Sequence, residues 1–411
     1  MAEATRTTAE KLLKEVYIPG INRQANEEIL LANRLEARSD SIVEGLKAVV
    51  SVDGGRSAGI GAARENAALP AAGFQSPKRA EYNLSSLYAR GSITGQLMRG
   101  TANNRAAFAR GLKFEADGLF RDLKKDFARQ SYGGYDVSSA GATGGVNATT
   151  AIARVNGAPA ANVITLDDDH AIRSGQLYVN MKLDATDDFV STEQTGMTVT
   201  AVTLATPSVT VDASGSTADN DWLVRAGATD ASGAVEMTGI SAVISASAYG
   251  GLNAATAGQE FWAGNVNSTG GAFDSDNLHA LFNQTRIASG SAPSAIYTTF
   301  GLVREYFNEL QSQVTYVEPM KLEGGFKVLS FFNIPFIGDV ECPLGNIYMP
   351  DEEAIHFAAD ADWAPLDEEG HMLKWVTGYD KWEWALQRDI ELVASRRNSS
   401  AKMTGLTDSG Y

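Results

Sequence analysis

With 411 residues, a hydrophobic fraction of 44% and a charged fraction of 20%, the chain has the bulk of two or three domains and an ordinary globular balance, which excludes wholesale disorder and a fibrous repeat. No run approaches the ~18 to 20 apolar residues of a membrane span, and MAEATRTTAEKLLKEV lacks the charged-then-apolar order of a signal peptide. A soluble protein made in the cytosol, without membrane contact, is the expectation. The net charge of −16 is uneven: residues 1–135 hold 20 Lys+Arg against 15 Asp+Glu, residues 136–270 hold 4 against 14, and residues 271–411 hold 10 against 21. The basic third comes first, but it lacks the dense patch of a strong nucleic-acid binder.

In chain order, residues 8–48 read as short helical pieces broken at Pro19-Gly20. Ile29, Leu30 and Leu35 offer too little apolar area for a bundle, so the segment reads as an arm that packs on something else. Residues 45–98 pass from GLKAVVSVDGGRSAGIG through the loop ENAALPAAGFQSPKRA to EYNLSSLYARGSITGQL, where Tyr82, Leu84, Ile93 and Leu97 restore partial alternation. This pattern predicts a long two-stranded excursion with a flexible tip. Two strands alone are marginal in water, so it needs support from outside.

From Asn103 to Gln130 the period changes to that of a helix: Phe108, Leu112, Ala116, Leu119, Leu123 and Phe127 form one stripe, Thr101 is placed to cap it and Gly133-Gly134 to stop it. Residues 136–160 are rich in small side chains and read as a linker. Short β-rich runs over 161–250, separated by Gly, Asp and Ser clusters, have the spacing of a small barrel or sandwich. Beyond them, LHALFNQTRIASG and FGLVREYFNELQSQ are amphipathic helices, while SAIYTTF, KVLSFFNIPFIG and GNIYMP read as buried strands. HMLKWVTGYDKWEWALQRDIELVAS reads as two strands meeting near Tyr379-Asp380.

Candidate chemistry is thin. Gly55-Arg56-Ser57-Ala58-Gly59 matches the G-x-S-x-G nucleophile elbow, but no good helix follows Ser57, as the elbow requires. Asp167, Asp168, Asp169 and His170 are consecutive and cannot all converge on one ion, so a solvated turn is expected. His279, His356 and His371 stand singly; Trp375, Trp382 and Trp384 read as packing residues rather than a base-stacking platform. Cys342, the single cysteine, reads as a small core side chain, and the Asn-x-Ser/Thr matches at Asn83 and Asn267 carry no weight without a secretory signal.

The order of parts resembles the HK97-fold major capsid proteins of tailed bacteriophages and related viruses. The resemblance covers most of the chain and is carried by the arm, the loop through ENAALPAAGFQSP, the helix NNRAAFARGLKFEADGLFRDLKKDFA with Tyr132-Gly133 behind it, the segment GGFKVLSFFNIPFIGDVECPLGNIYM and the tail WEWALQRDIELVASRRNSSAKMTGL. It implies an α+β fold with an N-terminal arm (1–48), an extended loop (49–98), a peripheral domain built from a long spine helix (99–135) and return strands with the tail (371–411), and an axial domain (251–370). The linker 136–160 leads to the β-rich 161–250, which exceeds the minimal fold and reads as an insertion with the outer surface as its expected place.

The resemblance also implies a virion protein that assembles with itself into pentamers and hexamers of an icosahedral shell, touching packaged double-stranded DNA weakly and without sequence preference. It implies no catalytic residue, cofactor or metal. Only about 48 residues precede the loop, so a separate scaffolding protein is expected, with a portal and a decoration protein as further partners. Chainmail-forming members join a loop lysine to a neighbour's asparagine; Lys78 and Asn398 are residues of those kinds, and nothing in the sequence identifies them as that pair. Two other readings stay open: an encapsulin-like compartment on the same fold, and a serine hydrolase using Ser57.

Overall fold

The computed structural model describes residues 30–36, 42–44, 47–55, 57, 59–65, 68–96, 105–133, 150–187, 189, 192–230, 233–312, 320–321, 327–366 and 373–408. Its longest strand, Lys381–Ala394, organises the body. On one edge it pairs antiparallel with Ser85–Thr94, from Lys381↔Thr94 to Ile390↔Ser85. The other edge carries Lys374–Trp375, Ala364–Pro365 and Ile355–Ala359 in succession. The 85–94 segment therefore belongs to this sheet and not to the excursion in which the alternation of 45–98 placed it.

One face of the long strand, with Trp384, Leu386 and Ile390, lies under the helix Arg105–Tyr132. Phe120 meets Trp384 at 6.4 Å between ring centres and Phe127 meets Phe357 at 5.5 Å. Ala116 and Phe127 of the expected stripe are buried, with Leu119 and Leu123 packed beside them; Thr101 and the side chains of Phe108 and Leu112 lie outside the described residues. Gly133, at φ +87, ends the helix in the left-handed region, its N–H returning to the Arg129 carbonyl at 3.1 Å. The helix end abuts the short helix Ile240–Val243 so closely that a Cβ on Gly239 would lie 2.2 Å from Gly133 Cα.

From Trp384 to Ile390 the strand alternates between deeper and shallower positions, as a half-covered sheet does, but residues 390–394 are all buried. Here the second face is covered too: Val393 and Ala358 join Ala48, Val52, Ala80, Tyr82 and Trp262 in a separate core. Glu391 shares that face, accepting from Ser85 Oγ at 3.0 Å and Thr238 N at 2.9 Å, and burial pushes its carboxyl up to about 7. Just beyond, Arg397 is fully buried and donates to the carbonyls of Val243, Ser245 and Ser247 at 2.7 to 2.8 Å, with its guanidinium over the Tyr249 and Trp262 rings. Burial lowers its pKa to about 10, and the carbonyl shell holds the turn after Ile240–Val243 against the tail.

A second sheet runs in the order Asn265–Asn267, Ala401–Met403, Ile347–Met349, Ile296–Thr298, Ile334–Gly338, Lys327–Phe331, Met320–Lys321. The helices Ser275–Ser289 and Phe300–Ser312 supply Leu278, Leu281, Phe282, Leu302 and Tyr306 to its core. KVLSFFNIPFIG, which reads as one strand, is a hairpin: Phe332 and Asn333 both take positive φ (+48 and +65) in the two-residue turn. The pairing also crosses the expected 370/371 boundary, since 401–403 enters this sheet while 355–359 joins the other.

The β-rich unit is a six-stranded antiparallel barrel, in the order Ala151–Arg154, Trp222–Arg225, Lys182–Thr186, Gln194–Thr203, Ser208–Val211, Val163–Thr165. Bonds between its end strands, Asp167 N to Arg154 O and Asn156 N to Thr165 O, close it around Ile152, Val155, Ile164, Leu183, Met197, Val199, Val209 and Leu223. Its first strand lies within the stretch expected as linker. Small residues hid it there: Ala153 joins the barrel core, while Ala151 is buried in a separate cluster with Phe189, Trp222 and Val224. The arm helix Leu30–Glu36 docks on its own body, with Leu31 and Leu35 fully buried and Arg34 bidentate on Glu352 at 2.6 and 2.8 Å. Of the rest of the expected arm, residues 42–44 and 47–48 are strands, and residues 1–29, 37–41 and 45–46 lie outside the described residues.

A carboxyl whose folded pKa lies above its unfolded value costs stability once it must ionise. The loss develops as pH rises from about 4.5 towards about 7, where the unfolded chain has released its proton and the folded one has not. Glu391→Gln is therefore expected to match or exceed the wild type in urea denaturation at pH ~7.5 and to flatten the decline between about pH 5 and 7. A clear loss of stability at the higher pH contradicts this account of the site.

Candidate assembly surface

The excursion is a ribbon of Ile42–Glu44, Lys47–Asp53 and Pro77–Asn83, the last two in register from Lys47↔Asn83 to Asp53↔Pro77. Alternation puts Ala48, Val52, Ala80 and Tyr82 on one face, and that face covers Leu252, Trp262, Ala358 and Val393. Tyr82 donates to the Ala394 carbonyl at 2.8 Å, and Glu81 N to Gly250 O at 3.0 Å. The root thus packs on its own subunit, more tightly than its sparse apolar content predicts.

Cross-ribbon bonding continues to Gly54 N on Ser76 O, at 3.2 Å. From 55 to 76 no described residue is buried, and Ile60, Leu69 and Phe74 are 89%, 82% and 85% exposed. Burying a side chain of this size is worth roughly 1.5 to 3 kcal/mol, so three on one projecting loop form a surface suited to covering by another molecule.

The other candidate residues do not come together. Ser57 lies in this loop and its Oγ accepts from Gly59 N at 3.2 Å. His170 belongs to the barrel, His279 to the Ser275–Ser289 helix and His356 to the Ile355–Ala359 strand, while His371 lies outside the described residues. Asp167 faces Arg154, Asp168 accepts from His170 N at 2.9 Å and Asp169 pairs with Arg173 at 2.6 Å. Each carboxylate is thus turned to its own partner, and burial pushes Asp168 up to about 6 and His170 below its ordinary value. Among the described residues no group of three or more His, Cys, Asp or Glu is placed to hold a metal, and no helix is long and apolar enough to cross a membrane.

Trp384 is buried against Gly91, whereas Trp375 pairs across strands with Trp382 and is 56% exposed. Cys342 is fully buried, which pushes its thiol pKa well up. Lys78 lies on the ribbon beside Gly54, and Asn398 donates to the Ala288 carbonyl at 3.0 Å on the body. Asn83 closes a ribbon strand, and the Asn267 side chain accepts from Thr269 N at 3.0 Å.

Sequence reading missed the attachment of the barrel. Arg129, on the inner side of the long helix, donates to Thr150 O at 3.2 Å, where the chain enters the barrel, and to Glu236 at 2.6 Å, where it leaves. Asp126 joins Arg129 at 3.1 Å and Arg225 of the barrel at 3.3 Å; burial works against its charge, but the two guanidinium groups outweigh it and hold the carboxyl below the usual range. Nothing in the sequence sets Arg129 apart from the other cationic residues of the helix. Arg129→Met strands the buried Glu236 carboxylate and leaves Asp126 with Arg225 as its cation, and is expected to cost about 3 to 5 kcal/mol in urea denaturation of the subunit, with a smaller loss for Glu236→Gln. A loss under about 1 kcal/mol for Arg129→Met would show that the cluster does not hold the barrel.

No family model matches the chain, and no curated protein matches it. Solved structures do. A chain of the cyanophage A-1(L) capsid asymmetric unit is 13% identical over 92% of each chain, with a TM-score of 0.50. A chain of an empty GTA particle capsid is 14% identical over 92% of this chain and 90% of that one, at 0.45, and the holo-SrpI encapsulin complex of Synechococcus elongatus PCC 7942 gives 10% identity over 90% and 85%, at 0.42. The first likeness concerns architecture alone: this chain has the α+β fold of the cyanophage A-1(L) capsid chain.

Proposed function

We propose that this chain is the major capsid protein of a tailed bacteriophage, a structural virion protein that assembles into pentamers and hexamers of an icosahedral shell around double-stranded DNA. The observation that carries the reading is the ribbon: a root fixed to the body at Tyr82 and a projecting tip with Ile60, Leu69 and Phe74 bare, on a fold shared with a phage capsid chain. A closed shell covers such a surface with the neighbouring copy, and obligate contacts of this kind typically bury ~2,000 Å² or more.

On this reading the Lys381–Ala394 sheet with the Arg105–Tyr132 helix is the peripheral domain, and the Asn265–Met403 sheet with its two helices is the axial domain. The ribbon is the extended loop, and the barrel, from Thr150 to Glu236, is an insertion. A separate scaffolding protein, a portal and a decoration protein complete the proposed partners, with weak non-specific contact to the packaged DNA.

Negative-stain microscopy of the purified chain, with and without a co-expressed scaffold, tests the proposal. Uniform particles or capsomers are expected from the wild type, and Ile60→Ser/Leu69→Ser/Phe74→Ser is expected to abolish them while leaving the subunit's urea midpoint unchanged. A wild-type chain that stays a monodisperse monomer under both conditions contradicts the reading.

A further inference from the structure

The ribbon's buried face takes every second residue: Ala48, Val50 and Val52 on one strand and Ser76, Lys78, Ala80 and Tyr82 on the other, so that Gly54 holds the next body-facing position. An added Cβ at Gly54 would lie 3.1 Å from Phe261 Cε1, 2.8 Å from Lys78 Cγ and 3.0 Å from the Ser76 carbonyl oxygen. The glycine's φ is not in the left-handed range, so close approach, and not backbone torsion, makes a side chain unwelcome here. Phe261 sits in the single helical turn Glu260–Trp262, next to fully buried Trp262, whose indole N–H donates to the Tyr249 carbonyl at 2.8 Å. Trp262 makes this a firm point, and the ribbon leaves the body where the Gly54 backbone passes the Phe261 ring with no room for a Cβ between them.

Resting on the capsid reading above, we propose that Phe261, bearing on Gly54, is the fulcrum that sets the angle at which the ribbon projects, and so is a positioning residue for assembly without itself touching a neighbour. The anchored part, Ala48 to Gly54, spans roughly 20 Å, and the loop beyond reaches up to roughly 35 Å, so a shift of about 1 Å at Gly54 becomes roughly 2 to 3 Å at the tip. Dispersion contacts lose a quarter to a half of their strength over a gap of 0.5–1 Å, so a tip displaced that far misses its docking surface. The displacement is smallest at Ala48 in the root core and grows towards the tip, so it bears on docking more than on folding.

The test uses the full chain and two readouts. In the unassembled subunit, spin labels on Gln75→Cys and Ala248→Cys, both at exposed positions, report the ribbon's angle by pulsed electron paramagnetic resonance. Gly54→Val is expected to move the mean distance by roughly 2 Å or more, and Phe261→Ala to broaden the distribution. By electron microscopy, Gly54→Val is expected to cut the yield of closed particles about tenfold or more, Phe261→Ala to widen the spread of particle diameters, and Gly54→Val/Phe261→Ala to recover particles that Gly54→Val loses. Phe261→Ala introduces no clash and leaves the fully buried root residues in place, so it is expected to fold with a lowered thermal midpoint and carries the test if Gly54→Val fails to fold. Wild-type distances and wild-type particles in these variants overturn the fulcrum and leave the capsid reading standing. A shifted ribbon in a chain whose wild type never assembles overturns the capsid reading, and with it the role in assembly, while the contact itself stands.

Discussion

The structure depends on one strand that is asked to serve two cores. Lys381–Ala394 carries the helix Arg105–Tyr132 on one face along most of its length, and at its last five residues it carries the ribbon root on the other. A strand covered on one side alternates in burial, while a strand covered on both is buried throughout; the change from the first pattern to the second, at Ile390, marks where the projecting element is fastened. Ser85–Thr94, which follows the ribbon root directly in the chain, pairs with the same strand through ten positions. The ribbon is therefore held at its base by its buried face, by the bonds of Glu81 and Tyr82 to the body, and by the ladder that begins directly after it.

Polar groups buried around that junction are handled in two ways. Arg397 is matched by backbone carbonyls and two aromatic faces, which fix a turn without needing a counter-charge. Arg129 is matched by carboxylates, and it gathers the entry and exit of the barrel at one point of the helix. The barrel has its own closed sheet and its own core, so it adds little to the hydrophobic energetics of the body and is located by this ionic cluster. Tyr82 and Tyr249 both reach carbonyls of the long strand, Ala394 and Leu392, and bring the ribbon and the 249–262 loop to the same end of it.

Elements with a strong period were legible in the sequence: the long helix and its glycine stop, the helices at 275–289 and 300–312, and the two strands meeting near Tyr379. What escaped was set by tertiary context. Phe332-Asn333 lacks the usual Asn-Gly signature of a two-residue hairpin turn, so two strands read as one. Ala151–Arg154 is a strand of four residues at the end of a run of small side chains, too short to show a period of its own. Tyr88, Ala89 and Arg90 alternate as well as any ribbon residue, and nothing local says that their partner lies near the far end of the chain. The excursion was legible as paired strands that need support from outside, but Ile60, Leu69 and Phe74 were not singled out in its tip, because their exposure is set by the ribbon's projection. Arg129 and Gly54 left no sequence signal of their own, because their importance lies in what a distant segment places against them.

The central claim is that the greasy end of the cantilevered ribbon is finished by a neighbouring copy. Hydroxyl-radical footprinting of Ile60, Leu69 and Phe74, compared between free subunits and purified particles, addresses this at the side chains concerned. Strong labelling in the subunit and protection of all three in the particle is the expected result; equal labelling in both would show that assembly does not use this surface.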